Sequence, residues 1–311
     1  MKRFILKVAL LEIIVTMLLF SVFTISDRLA TRILGPNTKT QIKESFQNAL
    51  TSCATNWILG NSRVYRGLNP DKMSKSWYNF AHDNDSYNQM YYKLEFLLNN
   101  NCSIDTLIIG TDYFQFGVFS DTRNYVYDGL FGKEYIKDYN SWRVKEVYGN
   151  FKRFLITKQS SFHSALLNVN IWLVGGKKNL PYFRANGQYI NDQGNAKEED
   201  RIERDSTMLD IQKRYFEKIL IICKNQDINL FVLMMPVRDN ELSCYSESYT
   251  NTFNDYIERS LKDAGYENRF IDMSNNTDFK DYKMYTDITH FNSESADRYT
   301  KCFYEKLKSI N

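Results

Sequence analysis

The sequence predicts an α/β protein, with a parallel sheet covered by helices on both faces and a transmembrane helix at the N-terminus. Three observations predict it. Short apolar runs at residues 56–59, 106–109, 228–235 and 269–273 alternate with longer amphipathic segments, as strands buried on both faces do when helices join them. A nineteen-residue segment, 8–26, holds a single ionisable residue, Glu12. Hydrophobic residues make up 43% and charged residues 25% of the 311-residue chain, enough to build a packed core and too apolar for a disordered chain.

The apolar segment comes first. At helical rise it nearly crosses a hydrocarbon core. Lys2, Arg3 and Lys7 precede it, while Asp27, Arg28 and Arg32 follow. The positive-inside rule then puts the N-terminus in the cytoplasm and the rest of the chain outside. A cleaved signal peptide has a shorter apolar region ending in small residues, and Thr24-Ile25-Ser26 is a poor cleavage site. Residues 1–30 are therefore expected to be an anchor and 31–311 an extracytoplasmic domain. Glu12 lies near the cytoplasmic end, within reach of Lys7 or the headgroups.

Gly35-Pro36-Asn37 breaks the pattern. Thr38 opens a helix with Gln41 as its capping-box partner, and Ile42, Phe46, Ala49 and Leu50 share one face. The first strand, 56–59, ends at Gly60. A helix over 84–101 turns Met90, Leu94, Leu97 and Leu98 inward, and the second strand, 106–109, ends at Gly110. Met208, Ile211, Tyr215, Ile219 and Ile222 mark a helix over 207–225. The third strand, 228–235, stops at Pro236. A helix over 249–264 ends at Gly265, and the fourth strand is 269–273. Ser293 is expected to cap the last helix, lined by Ala296, Tyr299, Phe303 and Leu307. Residues 113–206 do not follow the alternation. They read as an insertion at the sheet edge, with helix-like stretches at 141–156 and 162–174 and a turn at Asn186-Gly187.

Several function classes lose support here. A net charge of +3 with no basic, aromatic-interleaved block gives no nucleic-acid partner. The five cysteines form no CxxC pair, so zinc and thioredoxin chemistry lack a motif. Cys53, Cys102 and Cys223 lie in or beside apolar segments and read as buried thiols. His82, Asp83 and Asp85 lack the spacing of a calcium loop. No metal or cofactor is expected.

Two motifs at opposite ends of the chain carry chemistry. Gly60-Asn61-Ser62-Arg63 follows the first strand, and Asp287-Ile288-Thr289-His290 precedes the last helix. In a parallel sheet, the loops after the strands gather at one edge, where ligands sit. A serine nucleophile needs a base, and the base needs an orienting group. Of the three histidines, His163 lies among apolar residues and His82 in a polar loop, which leaves His290 as the base. A spacing of three lets one turn aim Asp287 and His290 at the same point.

These motifs resemble those of the SGNH (GDSL-like) hydrolases, and most of residues 54–311 outside the insertion are similar in layout. The resemblance implies a flavodoxin-like three-layer α/β/α sandwich. It implies Ser62 as nucleophile, His290 as general base and then acid, and Asp287 as the residue orienting the imidazole. Among such hydrolases the chain looks like membrane-anchored bacterial members that handle acyl groups on cell-surface polymers. An acyl-ester or surface-glycan substrate is implied, handled by hydrolysis or transfer. The alternative is a domain that keeps the fold without catalysis, holding a glycan or a membrane acyltransferase partner. The chain departs from the family at four places. Asn61 stands where an aspartate is usual. Arg63 is expected to aid an anionic substrate or to pair with an acid. The region 79–85 has no glycine, so Asn84 would have to supply the second oxyanion amide. Asp112 stands where an asparagine usually donates, and an ionised Asp112 facing the oxyanion would oppose it.

Overall fold

The computed structural model describes residues 2–34, 38–117, 182–202 and 206–310, together with Tyr127, Leu130, Phe131 and Tyr135. The expected helices at 141–156 and 162–174, and His163, lie outside the described residues. The chain divides into two units, residues 1–41 with 132–180 and residues 42–131 with 181–311.

The first unit contains α1, Lys2–Leu34. Its unbroken run of described side chains, residues 6–22, is exposed throughout and covers part of the 8–26 segment. Among the described residues, no helix is long and apolar enough to cross a membrane.

The second unit is built on strands β1 (Asn56–Leu59), β2 (Trp77–Asn79) and β3 (Thr106–Thr111), a separate hairpin β4 (Tyr182–Phe183) and β5 (Tyr189–Ile190), and strands β6 (Asn229–Met234) and β7 (Phe270–Asp272). The main sheet has five strands in the order β2-β1-β3-β6-β7. Every neighbouring pair in it is parallel. Trp57 lies beside Tyr78 and Leu107, and Leu233 lies beside Gly110 and Ile271. The helices are α2 (Thr38–Thr51), α3 (Ser62–Gly67), α4 (Tyr87–Asn99), α5 (Asp210–Asn225), α6 (Asp239–Leu242), α7 (Glu247–Asp263) and α8 (Ser293–Ile310).

Strand side chains alternate between faces, and here both faces are covered. Ile58, Ile108, Phe231, Leu233 and Ile271 pack with Ala296, Tyr299, Phe303 and Leu307 of α8. Trp57, Leu59, Leu107, Ile109, Leu230, Val232 and Met234 alternate with them and are equally buried. Aromatic contacts link the helices that cover this other face: Phe46 meets Phe96 at 4.7 Å, Tyr87 meets Phe216 at 5.0 Å and Phe216 meets Tyr256 at 6.4 Å. The result is a three-layer α/β architecture with a parallel sheet in the middle.

The differences from the sequence reading have local causes. Strand β2 is short, carries no apolar run and follows the polar segment 71–76, so it has no sequence signature. Helix α4 starts at Tyr87 rather than Asn84, because the Ser86 N–H donates to Gln89 Oε1 at 2.9 Å and Asn84 has a positive φ of 59°. Leu50 is 42% exposed, while Ile42, Phe46 and Ala49 of the same helix are buried. The cap of α8 is Asn292, whose Oδ1 accepts from the Ser295 N–H at 2.9 Å. Ser293 instead donates through its N–H and hydroxyl to Asp192. Only Cys223 of the three supposed core thiols is buried, since Cys53 is exposed and Cys102 half-buried. The Asn186-Gly187 turn closes the β4–β5 hairpin, and the Asn186 carbonyl accepts from the Asn79 N–H at 2.9 Å on the free edge of β2.

Candidate active site

The site forms where β1 ends. Gly60 and Gly110 leave room for Val64 to sit over the strand ends. A Cβ on Gly60 would lie 2.4 Å from Val64 Cγ2, and one on Gly110 would lie 2.6 Å from Val64 Cγ1. The chain then turns directly into α3. Asn61 caps this helix, its Oδ1 accepting from the Arg63 N–H at 2.9 Å. Ser62 is thus the first helical residue, held at the carboxyl edge of the sheet.

The loop between β7 and α8 returns to the same edge. His290 Nε2 lies 2.7 Å from Ser62 Oγ. The other ring nitrogen, Nδ1, lies 2.7 Å from Asp287 Oδ2 and 2.9 Å from Oδ1. An imidazole so placed donates from Nδ1 to the carboxylate and accepts the serine proton at Nε2. Asp287 is fixed by its own turn, accepting from the N–H groups of Thr289 at 2.8 Å and His290 at 2.9 Å.

The charges suit this assignment. Burial lowers the His290 pKa; Asp287 pulls it up, the Arg66 cation pushes it down again, and the outcome is below the usual value. The imidazole is therefore a neutral base at neutral pH. Burial pushes the Asp287 carboxyl up, but the hydrogen bond and charge of His290 and the two N–H donors outweigh it, so the group stays well below the usual carboxylate range. Asp287 is 48% and His290 14% exposed at the side chain, so the carboxylate has one open side while the base is mostly enclosed.

The turn after β2 supplies the next part. The His82 N–H donates to the Gly60 carbonyl at 3.1 Å and the Asp85 N–H to the His82 carbonyl at 3.2 Å. Within that turn, Asn84 has the left-handed conformation that glycine would otherwise provide. Among the described residues, neither the Ser62 N–H nor the Asn84 N–H has an acceptor. The first is the orphan amide of a helix start.

Asp112 and Arg63 are paired with each other in the interior. Both are buried, and Arg63 Nε lies 2.8 Å from Asp112 Oδ2. Arg63 also pairs with Glu241 of α6. Burial lowers the guanidinium pKa, but Asp112 and Glu241 raise it further and prevail, so the charge stays. Of the two roles expected for Arg63, pairing with an acid is the one the geometry contains. Asn61 turns its amide into the same polar layer, donating to Gln115 Oε1 at 2.7 Å and Asp112 Oδ2 at 3.2 Å.

No protein-family model matches this sequence, and a search of curated proteins finds no significant match.

Sequence reasoning passes over several residues of the site. Gln115 accepts from Asn61 and donates to the Asp85 carbonyl at 2.8 Å, so it joins the serine turn to the Asn84 turn. Lys93 is buried against Asp85 at 2.6 Å and donates to the Phe80 carbonyl at 2.7 Å. Arg66 grips Asp83 with two bonds, at 2.8 and 3.2 Å, and lies over the Tyr189 ring at 5.4 Å. Tyr65 stacks on Tyr189 at 5.4 Å. Arg66 had a signal available, since it stands four residues after Ser62 and on a helix shares its face. Gln115, Lys93 and Glu241 had none.

Among the described residues, no cluster of His, Cys, Asp or Glu has the make-up of a metal site.

Proposed function

We propose that this chain is an SGNH-type serine esterase or O-acyltransferase acting on acyl esters of an extracytoplasmic glycan or cell-envelope polymer, tethered to the membrane by α1. One observation carries this reading: an unbroken relay from Ser62 Oγ through both ring nitrogens of His290 to Asp287, each link 2.7 Å. The sheet order supports a flavodoxin-like fold, because the five parallel strands follow the 2-1-3-4-5 pattern when counted along the sheet-forming segments. The apolar composition of residues 8–26 supports the tether.

In this mechanism Ser62 Oγ attacks the ester carbonyl while His290 Nε2 takes its proton. The tetrahedral oxyanion lies against the unengaged N–H groups of Ser62 and Asn84. The intermediate collapses, His290 returns the proton to the leaving alcohol, and Ser62 holds the acyl group as an ester. Water or a sugar hydroxyl, deprotonated by His290, then attacks that ester and frees Ser62. Asp287 stabilises the imidazolium at each transfer.

Asp112 is the feature that favours a fold retained without catalysis. Its pairing with Arg63 supports the enzyme reading, because the carboxylate is held against a buried cation. Small acyl esters such as p-nitrophenyl acetate, together with a fluorophosphonate probe, test the choice. Turnover and labelling are expected in the wild type and absent in Ser62→Ala. A folded wild-type protein that neither turns over esters nor labels would return the site to a binding role.

A further inference from the structure

We propose that Arg63 is the positioning residue of this site: its guanidinium locks the turn carrying Ser62 to the loop carrying His290. The inference rests on the serine-enzyme reading above. The geometry is that of a hub. Arg63 belongs to the serine turn, and its own N–H is held by the Asn61 side chain. Its Nε reaches Asp112, at the end of β3. One Nη pairs with Glu241, and the other lies 3.4 Å from the Pro236 carbonyl, both beyond β6. The same Nη lies 3.4 Å from the Thr289 carbonyl. Thr289 stands between the two members of the relay, and its N–H and hydroxyl both donate to Asp287 Oδ1, at 2.8 and 3.1 Å. One planar group therefore touches the segments after β1, β3 and β6 and the histidine loop.

Only a guanidinium fits this role. It presents five donors in a fixed fork and keeps its charge when buried, whereas an ammonium is a point charge that readily loses its proton. The same cation bears on the acid at position 112, which lies 2.8 Å from Arg63 Nε. Arg63 does not contact the reacting atoms. It sets the distance and angle between Ser62 and His290, where a misplacement of about 1 Å can cost on the order of a hundredfold in rate.

Replacing Arg63 alone takes away the cation that two buried carboxylates share, which endangers the fold. The test therefore uses Arg63→Lys and the triple variant Arg63→Met, Asp112→Asn, Glu241→Gln, which removes all three buried charges. Urea midpoints report folding. Ester turnover and fluorophosphonate labelling report the serine. Nitrogen-15 NMR of the three histidines, assigned with His82→Gln and His163→Gln, reports the imidazole of His290. In whichever variant stays folded, kcat is expected to fall about a hundredfold with KM little changed, and the His290 ring-nitrogen resonances and their titration to change as the imidazole leaves its place between Ser62 and Asp287. A folded variant with wild-type kcat and unchanged His290 resonances overturns the proposal. Loss of folding in both variants also overturns it, because Arg63 would then be a requirement of the fold. If the wild type shows no Ser62-dependent turnover, the enzyme reading fails on its own. The His290 spectra then decide the positioning role: an unchanged titration in the folded variant rejects it and a shifted one supports it.

Discussion

At the scale of single residues, the site depends on a neutral imidazole between a hydroxyl and a carboxylate. Asp287→Asn keeps the shape but favours the wrong tautomer, and kcat is expected to fall by about a thousandfold or more while the fold survives. Steady-state kinetics beside a thermal melt checks this. The pH profile gives a second prediction. His290 must be unprotonated to act, and its pKa lies below the usual value, so the acid limb of kcat/KM is expected below pH ~6.5, the ordinary histidine midpoint. Arg66 holds that pKa down and Asp83 pulls it up. Arg66→Met removes the first effect and frees Asp83 from its ion pair, so both changes move the acid limb to higher pH. A limb that stays put or moves down contradicts this. The relay is legible in the sequence because three histidines leave few choices and the Asp-x-x-His spacing fits one turn. Gln115 and Glu241 are not legible, because they meet their partners across 54 and 178 residues and no local pattern marks such contacts.

At the scale of elements, α3 and the two glycines beneath it decide where Ser62 sits. Asn61→Ala removes the cap of α3 and is expected to cost about 1–2 kcal/mol in urea unfolding. Gly110→Ala forces a methyl into Val64 and is expected to cost about 1–3 kcal/mol. Adding Val64→Ala should recover part of that loss, because the clash is with the Val64 methyls. If Gly110→Ala is equally destabilising in either background, the packing account is wrong. The long apolar and amphipathic elements are legible because their periodicity runs over many residues. The short ones are not. Strand β2 pairs at the sheet edge with three residues, and α3 has six, too few to show a period. Asn84 shows the reverse case: the sequence poses the question of a glycine-free turn, and the backbone answers it with the left-handed shape.

At the scale of the whole molecule, the second unit carries every residue of the relay and of the Arg63 hub. A chain beginning at Thr38 keeps α2, whose Ile42, Phe46 and Ala49 are buried. It is expected to leave the membrane fraction while keeping fluorophosphonate labelling of Ser62. Fractionation of the full-length and shortened chains checks the first part, and gel fluorescence the second. Retention of the shortened chain in the membrane fraction would reject α1 as the tether. The alternation of strands and helices makes this layout readable, since a parallel sheet demands long crossovers. The 113–206 segment breaks the alternation, and with it the sequence loses its grip on that part of the chain.

Ser62 and His290 bond to each other across 228 positions. A ribosome makes the chain from its N-terminus onward, so Ser62 is made well before the loop that carries His290. On the proposed serine-enzyme reading, Ser62 has no base until that loop folds back to the edge of β1. On the same reading, a chain cut short of Asp287 would keep the serine turn and lack the groups that activate it.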